Sequence, residues 1–226
     1  MTAFGERPDM QQLSPRSLLK EKAYEQLKSQ IQNSTFVPGV FLSERQLALQ
    51  LGMSKTPIKA ALERLELEGL VSVSPQQGIM VRELSVHEIA DQFEIRLALE
   101  SFVLRSVTGK LANDDITRIR KNLQQQQLAA KEFDHTAAIK LDAEFHGIFC
   151  DCLGNQEIIR VMTQMREKMY RVIGRVFERY EDRIESSWTE HTAVANAVIA
   201  GDAELAVNRL QEHLEYGKRV LLSPRR

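Results

Sequence analysis

Leu42-Ser43-Glu44-Arg45-Gln46-Leu47-Ala48-Leu49-Gln50-Leu51-Gly52-Met53-Ser54-Lys55-Thr56-Pro57-Ile58-Lys59-Ala60-Ala61-Leu62 is the stretch on which the fold turns. Ser43 and Glu44 give a helix N-terminus its capping hydroxyl and an early negative charge. Leu47, Leu49 and Leu51 follow, and Gly52 ends the helix. Two residues later Ser54 opens another helix, with Pro57 tolerated in its first turn. Ile58, Ala61, Leu62 and Leu65 give that helix an apolar side as far as Gly69. The stretch therefore predicts two short helices joined by a tight turn.

The flanks extend the pattern. Upstream, Leu18, Leu19, Ala23, Leu27 and Ile31 recur at helical spacing from Ser17 to Asn33-Ser34, before a Pro38-Gly39 turn. Downstream, Leu70 to Val73 and Ile79 to Val81 are short alternating runs around Pro75-Gln76-Gln77-Gly78, which predicts a β-hairpin. Three helices and a hairpin make a winged helix-turn-helix over residues 17–82, behind a loose polar leader at 1–16. Such a fold offers the first turn of its last helix to the major groove of DNA. Ser54, Lys55, Thr56 and Lys59 are the small donors and cations suited to that turn, and Arg45 is placed to grip a phosphate or a guanine. Gln77 and Gly78 stand at the hairpin tip, where the glycine allows close approach to the minor groove.

The run from Val37-Pro38-Gly39 through the quoted stretch to Leu65-Glu66 and Glu68-Gly69-Leu70-Val71 resembles the DNA-binding domain of the GntR family, without a gap over about residues 17–82. The resemblance implies that the positions of Arg45, Ser54, Lys55, Thr56 and Lys59 meet DNA and that the tip near Gly78 approaches the minor groove. Lys55 and Lys59 stand where arginine is commoner, and Ala60 replaces a usual glutamate. Lysine binds phosphate as a point charge and lacks the planar fork that reads guanine.

Residues 83–86 form a linker, and the chain from His87 on has a helical pattern. Breaks near Gly109, Asn113-Asp114, His135, Gly154-Asn155, Glu185 to Ser187 and Gly201-Asp202 predict a bundle of six or seven helices. The fold class is therefore mainly α: a winged helix-turn-helix with a small hairpin, then an all-α bundle. Gln124 to Gln127 reads as a solvated helix face, and the Met162/Met165/Met169 and leucine stripes read as core. Asp142 and His146, four apart on one helix, share a face and can bind one ion. His191 and His213 lie on two later helices, and a bundle can aim all four at one point, where three imidazoles and a carboxylate suit a first-row transition metal.

Residues 87–222 resemble the FCD effector domain of FadR-type GntR regulators, through Arg96-Leu97-Ala98-Leu99-Glu100, Asp142-Ala143-Glu144-Phe145-His146, Glu190-His191 and His213-Leu214. In metal-containing members the positions of Asp142, His146, His191 and His213 hold the metal, and water or an effector carboxylate completes the coordination. Zinc is the first expectation, with nickel or manganese as alternatives. His87 and His135 match no ligand position. An organic-acid effector also needs cations: Arg96 on the first bundle helix, and Arg171 and Arg175 further along, are the candidates.

The chain has 226 residues, 43% hydrophobic and 27% charged, as in an ordinary folded protein. Its net charge of −1 conceals a mild asymmetry: residues 1–82 carry 10 Lys+Arg against 8 Asp+Glu (+2), and the rest 20 against 23 (−3). Cys150 and Cys152 point about 200° apart around a helix and read as reduced thiols. No secretory signal and no membrane-length apolar run is evident, which predicts a cytoplasmic protein. Together these features predict a homodimeric transcriptional regulator, a repressor or an activator, on a pseudo-palindromic double-stranded operator, controlled by a small organic acid. Two alternatives remain: a metalloenzyme, for which no general base, phosphate loop or nucleophile motif stands out, and a domain whose metal is purely structural.

Overall fold

The computed structural model describes residues 15–33, 35–74, 78–180 and 182–222. The chain divides into two compact units, Met1–Glu83 and Leu84–Arg226. The first contains α1 (Pro15–Gln32), β1 (Phe41–Leu42), α2 (Glu44–Leu51), α3 (Lys55–Leu67), β2 (Val71–Ser74) and β3 (Gly78–Val81). Ser43 caps α2 in a full capping box: its hydroxyl accepts from the Gln46 N–H while the Gln46 side chain accepts from the Ser43 N–H. Gly52 closes that helix in the left-handed conformation, φ 62°, which glycine adopts without steric cost. Ser54 occupies the N-cap position of α3 but makes no capping hydrogen bond.

The wing has one strand more than the expected hairpin. β1 pairs antiparallel with β3, Phe41 opposite Met80, so the sheet order is β1-β3-β2. Two residues of β1 are too few to show a periodic pattern, which is why the sequence concealed it. β1 also explains Gly78. At φ 92° a Cβ on this residue would meet the Leu42 carbonyl oxygen at 2.7 Å. Glycine is needed there by the third strand, whatever the tip touches.

Tyr24, Leu27, Ile31, Leu47, Ile58, Leu62, Leu65, Leu70 and Ile79 form one buried core under these elements. A polar clasp beside it fixes α3 to α1: the Arg64 guanidinium lies 3.4 Å over the Tyr24 ring, and the Tyr24 hydroxyl donates to Glu68 at 2.8 Å. Arg64 also pairs with Glu21 at 3.0 Å.

The second unit contains α4 (Val86–Val107), α5 (Asn113–Glu132), α6 (His135–Leu153), α7 (Gln156–Arg179), α8 (Asp182–Ala200) and α9 (Ala203–Leu222). Among the described residues this is an all-helical bundle of six. The break expected at Glu185 to Ser187 is absent, because α8 runs through it from Asp182. The serines there are absorbed: Ser186 accepts from Arg183 Nη1 at 3.0 Å and donates to the Arg183 carbonyl, while Ser187 is buried beside Asp142. The core joins Phe93, Leu104, Ile119, Phe145, Met162, Met169, Val194 and Leu210. No helix among the described residues is long and apolar enough to cross a membrane.

Candidate metal centre and nucleic-acid interface

Three helices bring the predicted ligands together. Asp142 and His146 are one turn apart on α6, His191 comes from α8 and His213 from α9. One ligand atom from each lies within 4.8 Å of all the others. The four are buried, with relative exposures of 6%, 4%, 0% and 5%. Phe145 stacks on His191 at 4.3 Å and seals its far side.

Hydrogen bonds at the outer ring nitrogens decide what the inner ones are. His146 Nδ1 lies 2.6 Å from Glu100 Oε2 on α4. Burial penalises the Glu100 carboxylate, but the charges of Arg96 and His146 and their hydrogen bonds prevail and hold its pKa down at about 2. An ionised carboxylate only accepts, so Nδ1 carries a proton, and in the neutral ring that binds a metal Nε2 keeps the bare lone pair. That Nε2 is buried with no hydrogen-bond partner. His213 Nδ1 lies 2.6 Å from Glu190 Oε2. Burial would raise the Glu190 carboxyl, but hydrogen bonds from His213 and Arg183 hold it below the usual range.

His191 Nδ1 donates to Gln126 Oε1 at 2.8 Å, and the direction of this bond is fixed by a relay. Gln126 Nε2 donates to Asn122 Oδ1 at 2.6 Å, and Asn122 Nδ2 donates to the Leu141 carbonyl at 3.2 Å. Since each amide donates onward, the Gln126 oxygen can only receive.

Three Nε2 lone pairs therefore face inward beside a carboxylate. His191 Nε2 and His213 Nε2 are 3.3 Å apart, and His191 Nε2 is 3.6 Å from Asp142 Oδ1. Burial pushes the His191 imidazole well below its ordinary value, reinforced by any charge on His213 or His146 and by Arg183 and Arg96, and burial also lowers His213. Neutral rings with both Nδ1 protonated have nothing to share across 3.3 Å, and their lone pairs repel. A cation between them reverses the sign of that interaction. Donors on one zinc lie at about 2.0–2.1 Å from it, which sets them roughly 3–3.5 Å apart; the His191–His213 pair has that spacing, and all four ligand atoms lie within 4.8 Å of one another. The residues fit a metal of the zinc, nickel or manganese class.

Sequence reading missed this supporting shell. Gln126, which with its neighbours in the sequence reads as a solvated face, is buried, as are Ile119, Asn122 and Ala129 on the same face of α5. That spacing of three, four and three residues is itself the overlooked sign. Arg96 is buried in α4, its Nε bound to Glu100 Oε1 at 2.8 Å. Its Nη groups find no acceptor among the described residues, and the guanidinium borders two small cavities, one beside Asp142 and His146 and one beside Asp142 and His213. Met162, Met165 and Met169, read as core only, are buried and also wall the first cavity. The side chains of Arg171 and Arg175 lie outside the described residues.

In the first unit Arg45, Ser54, Lys55, Thr56 and Lys59 are all exposed, while Pro57, Ile58, Ala61, Leu62 and Leu65 are buried. The five make no side-chain hydrogen bond or ion pair with a described residue. No acidic residue occupies the first turn of α3, so its free N–H groups and positive dipole end stand with Lys55 and Lys59 as an anion-attracting edge. Gln77 lies outside the described residues.

Comparison with known proteins finds a family for each of the two units. The model of the gntR family of bacterial regulatory proteins matches residues 19–81, and that of the FCD domain matches residues 91–216. The HTH-type transcriptional regulator YdhC of Bacillus subtilis is 26% identical over 195 residues, 85% of this chain and 86% of its own. The HTH-type transcriptional repressor RspR of Escherichia coli is 23% identical over 204 residues, 90% of this chain and 89% of its own. A GntR regulator from Rhodococcus has the same fold, with a TM-score of 0.80 at 21% identity over 92% of this chain and 99% of that one. These are transcriptional regulators, not enzymes, so the metalloenzyme alternative falls away. With the two family models lying end to end over a helix-turn-helix unit and a helical unit, the chain belongs to the GntR family of bacterial transcriptional regulators and carries an FCD domain.

Proposed function

We propose that the chain is an effector-controlled regulator, a repressor in the simplest form, that acts as a cytoplasmic homodimer on a pseudo-palindromic DNA operator. Residues 17–82 form the DNA-binding head, and residues 87–222 form the sensor. Arg45, Ser54, Lys55, Thr56 and Lys59 contact the operator at α3, with the wing at Gln77 and Gly78 beside the minor groove. Asp142, His146, His191 and His213 hold a divalent transition metal, zinc before nickel or manganese. When bound, the metal supplies a Lewis-acidic position for a carboxylate oxygen of a small organic acid.

The observation that carries this reading is the convergence of three buried imidazole lone pairs and one carboxylate with no proton donor among them. Arg96 supports the effector half, since it brings a buried guanidinium with unused donors to the same spot. Glu100 links the two, because it holds Arg96 and His146 at once. A ligand that draws on Arg96 therefore acts on α4, the helix that begins at Val86, the last residue of the expected linker. Control of the operator requires different effector affinities in DNA-competent and DNA-incompetent conformations.

The test is metal analysis of the purified protein beside a His146→Ala/His191→Ala variant, followed by binding to the duplex upstream of its own gene. About one metal per chain, lost in the variant together with effector control of DNA binding, is the expected result. Control retained by the variant would make the metal structural. No metal bound by wild type after reconstitution would overturn the site.

A further inference from the structure

The cavity beside Asp142 and His146 differs sharply in character from the metal centre it adjoins. Met162, Met165 and Met169 of α7, with Ile139, Ala143 and Ile173, make its apolar wall, and Tyr170 adds one phenol. Its free volume is about 20 Å³, room for about one water. The charges around it are largely spoken for. Arg166, the other described cation on its wall, donates from Nη1 to the Ala143 carbonyl at 3.0 Å and from Nη2 to Thr163 Oγ1 at 2.9 Å. In the neighbouring cavity Arg183 is held by both oxygens of Glu190 at 2.8–2.9 Å. Arg96 is left as the one described cation of the two cavities with unengaged Nη groups.

We propose that the effector is a monocarboxylic acid with an apolar, unhydroxylated body, its carboxylate at Arg96 beside Asp142 and His146 and its body against Met162, Met165 and Met169. This rests on the sensor reading above and adds the chemical class of the ligand. One unengaged guanidinium matches one carboxylate. A second carboxylate, or a row of hydroxyls, would meet the single Tyr170 phenol on a wall otherwise of thioethers and methyl groups, and would lose more water than it gains partners. The small volume does not exclude such a guest, because methionine is unbranched and polarizable and can yield around an apolar body.

The experiment uses full-length protein loaded with Co2+, whose visible spectrum responds when an oxygen ligand arrives, and calorimetric titration with butyrate, hexanoate, octanoate, gluconate and adipate. Hexanoate should bind about tenfold tighter than butyrate, at about threefold to fourfold per buried methylene. Gluconate should bind at least a hundredfold more weakly than hexanoate, and adipate should also bind more weakly than hexanoate. Met165→Gln, close to methionine in shape, should flatten the dependence on chain length, while Met165→Leu keeps it. The wild-type series decides alone if either variant fails to fold. Gluconate or adipate binding as tightly as hexanoate, or equal affinity along the series, would overturn the proposal even as the spectrum responds. Failure of Co2+ to bind would overturn the metal reading instead, and the same series on the metal-free protein would still judge the ligand class at Arg96.

Discussion

Replacing Gln126 by leucine removes the acceptor of His191 Nδ1 and leaves the rest of the metal centre in place. Two polar groups lose their partners: the Nδ1–H of His191, a residue with 0% exposure, and Asn122 Oδ1, which received the Gln126 amide at 2.6 Å. Each unsatisfied buried group costs about 1–3 kcal/mol, and the leucine returns about 1 kcal/mol of apolar burial, so the metal-free protein should lose about 1–5 kcal/mol. The effect on the metal is separable. Without its acceptor His191 no longer has its proton fixed on Nδ1, and a share of the rings turns the wrong nitrogen inward. Losing such a partner weakens metal binding about 10- to 100-fold. Gln126→Glu keeps an acceptor and strengthens it, so metal affinity should be retained or increased. Competition against a chromophoric chelator measures affinity, and circular dichroism confirms that both variants are folded. A folded Gln126→Leu protein that binds metal as tightly as wild type would refute the relay.

Four further outcomes follow from the same geometry. Burial holds both Cys150 and Cys152 thiols up at about 12 against an ordinary 9, so the reactive thiolate is about a thousandfold scarcer at pH 8. Alkylation of the native protein should be correspondingly slow and should recover in denaturant; as pH rises toward 12 it should accelerate. Lys55→Ala and Lys59→Ala should each lower the slope of log affinity against log salt by about 0.9 on a DNA duplex, while the melting temperature stays unchanged. Removing metal with a chelator should lower the melting temperature, and metal restored at a hundred times its Kd should return about 2.7 kcal/mol. In Gly147→Ala the added Cβ would collide with Arg166 Nη1. That displaces the guanidinium from the Ala143 carbonyl, a part-buried hydrogen bond, and should cost about 1 kcal/mol in a thermal or denaturant melt.

The fold was legible where local chemistry and tertiary structure agree. Ser43 and Gly52 cap a helix by short-range hydrogen bonding and left-handed geometry, and both are visible in a window of ten residues. β1 was not, because its existence depends on β3 accepting it and leaves in Phe41-Leu42 only a mark that many loops share. The expected break at Glu185 to Ser187 failed for the opposite reason. Two serines weaken a helix in isolation, but Arg183 and Asp142 give their hydroxyls partners that only the folded bundle supplies.

The metal centre divides along the same line. Asp142 and His146 announce themselves by a spacing of four, because both come from one helix. Glu100, Gln126 and Glu190 do not, since each acts on a histidine through a contact whose sequence separation is set by topology: 46 residues from Glu100 to His146, 65 from Gln126 to His191 and 23 from Glu190 to His213. These three residues decide which nitrogen of each ring carries the proton, and hence whether the four inner atoms attract a cation or merely crowd one another. A ligand set can be read from residue types. Its readiness to bind cannot, because a histidine becomes a ligand only when its other nitrogen is engaged, and that partner comes from whichever helix packs behind it. α5 contributes no ligand at all, and yet its buried Asn122–Gln126 pair orients the most enclosed of the three imidazoles. Polar residues at core spacing on a helix facing a candidate metal site are therefore better read as part of that site than as solvated surface.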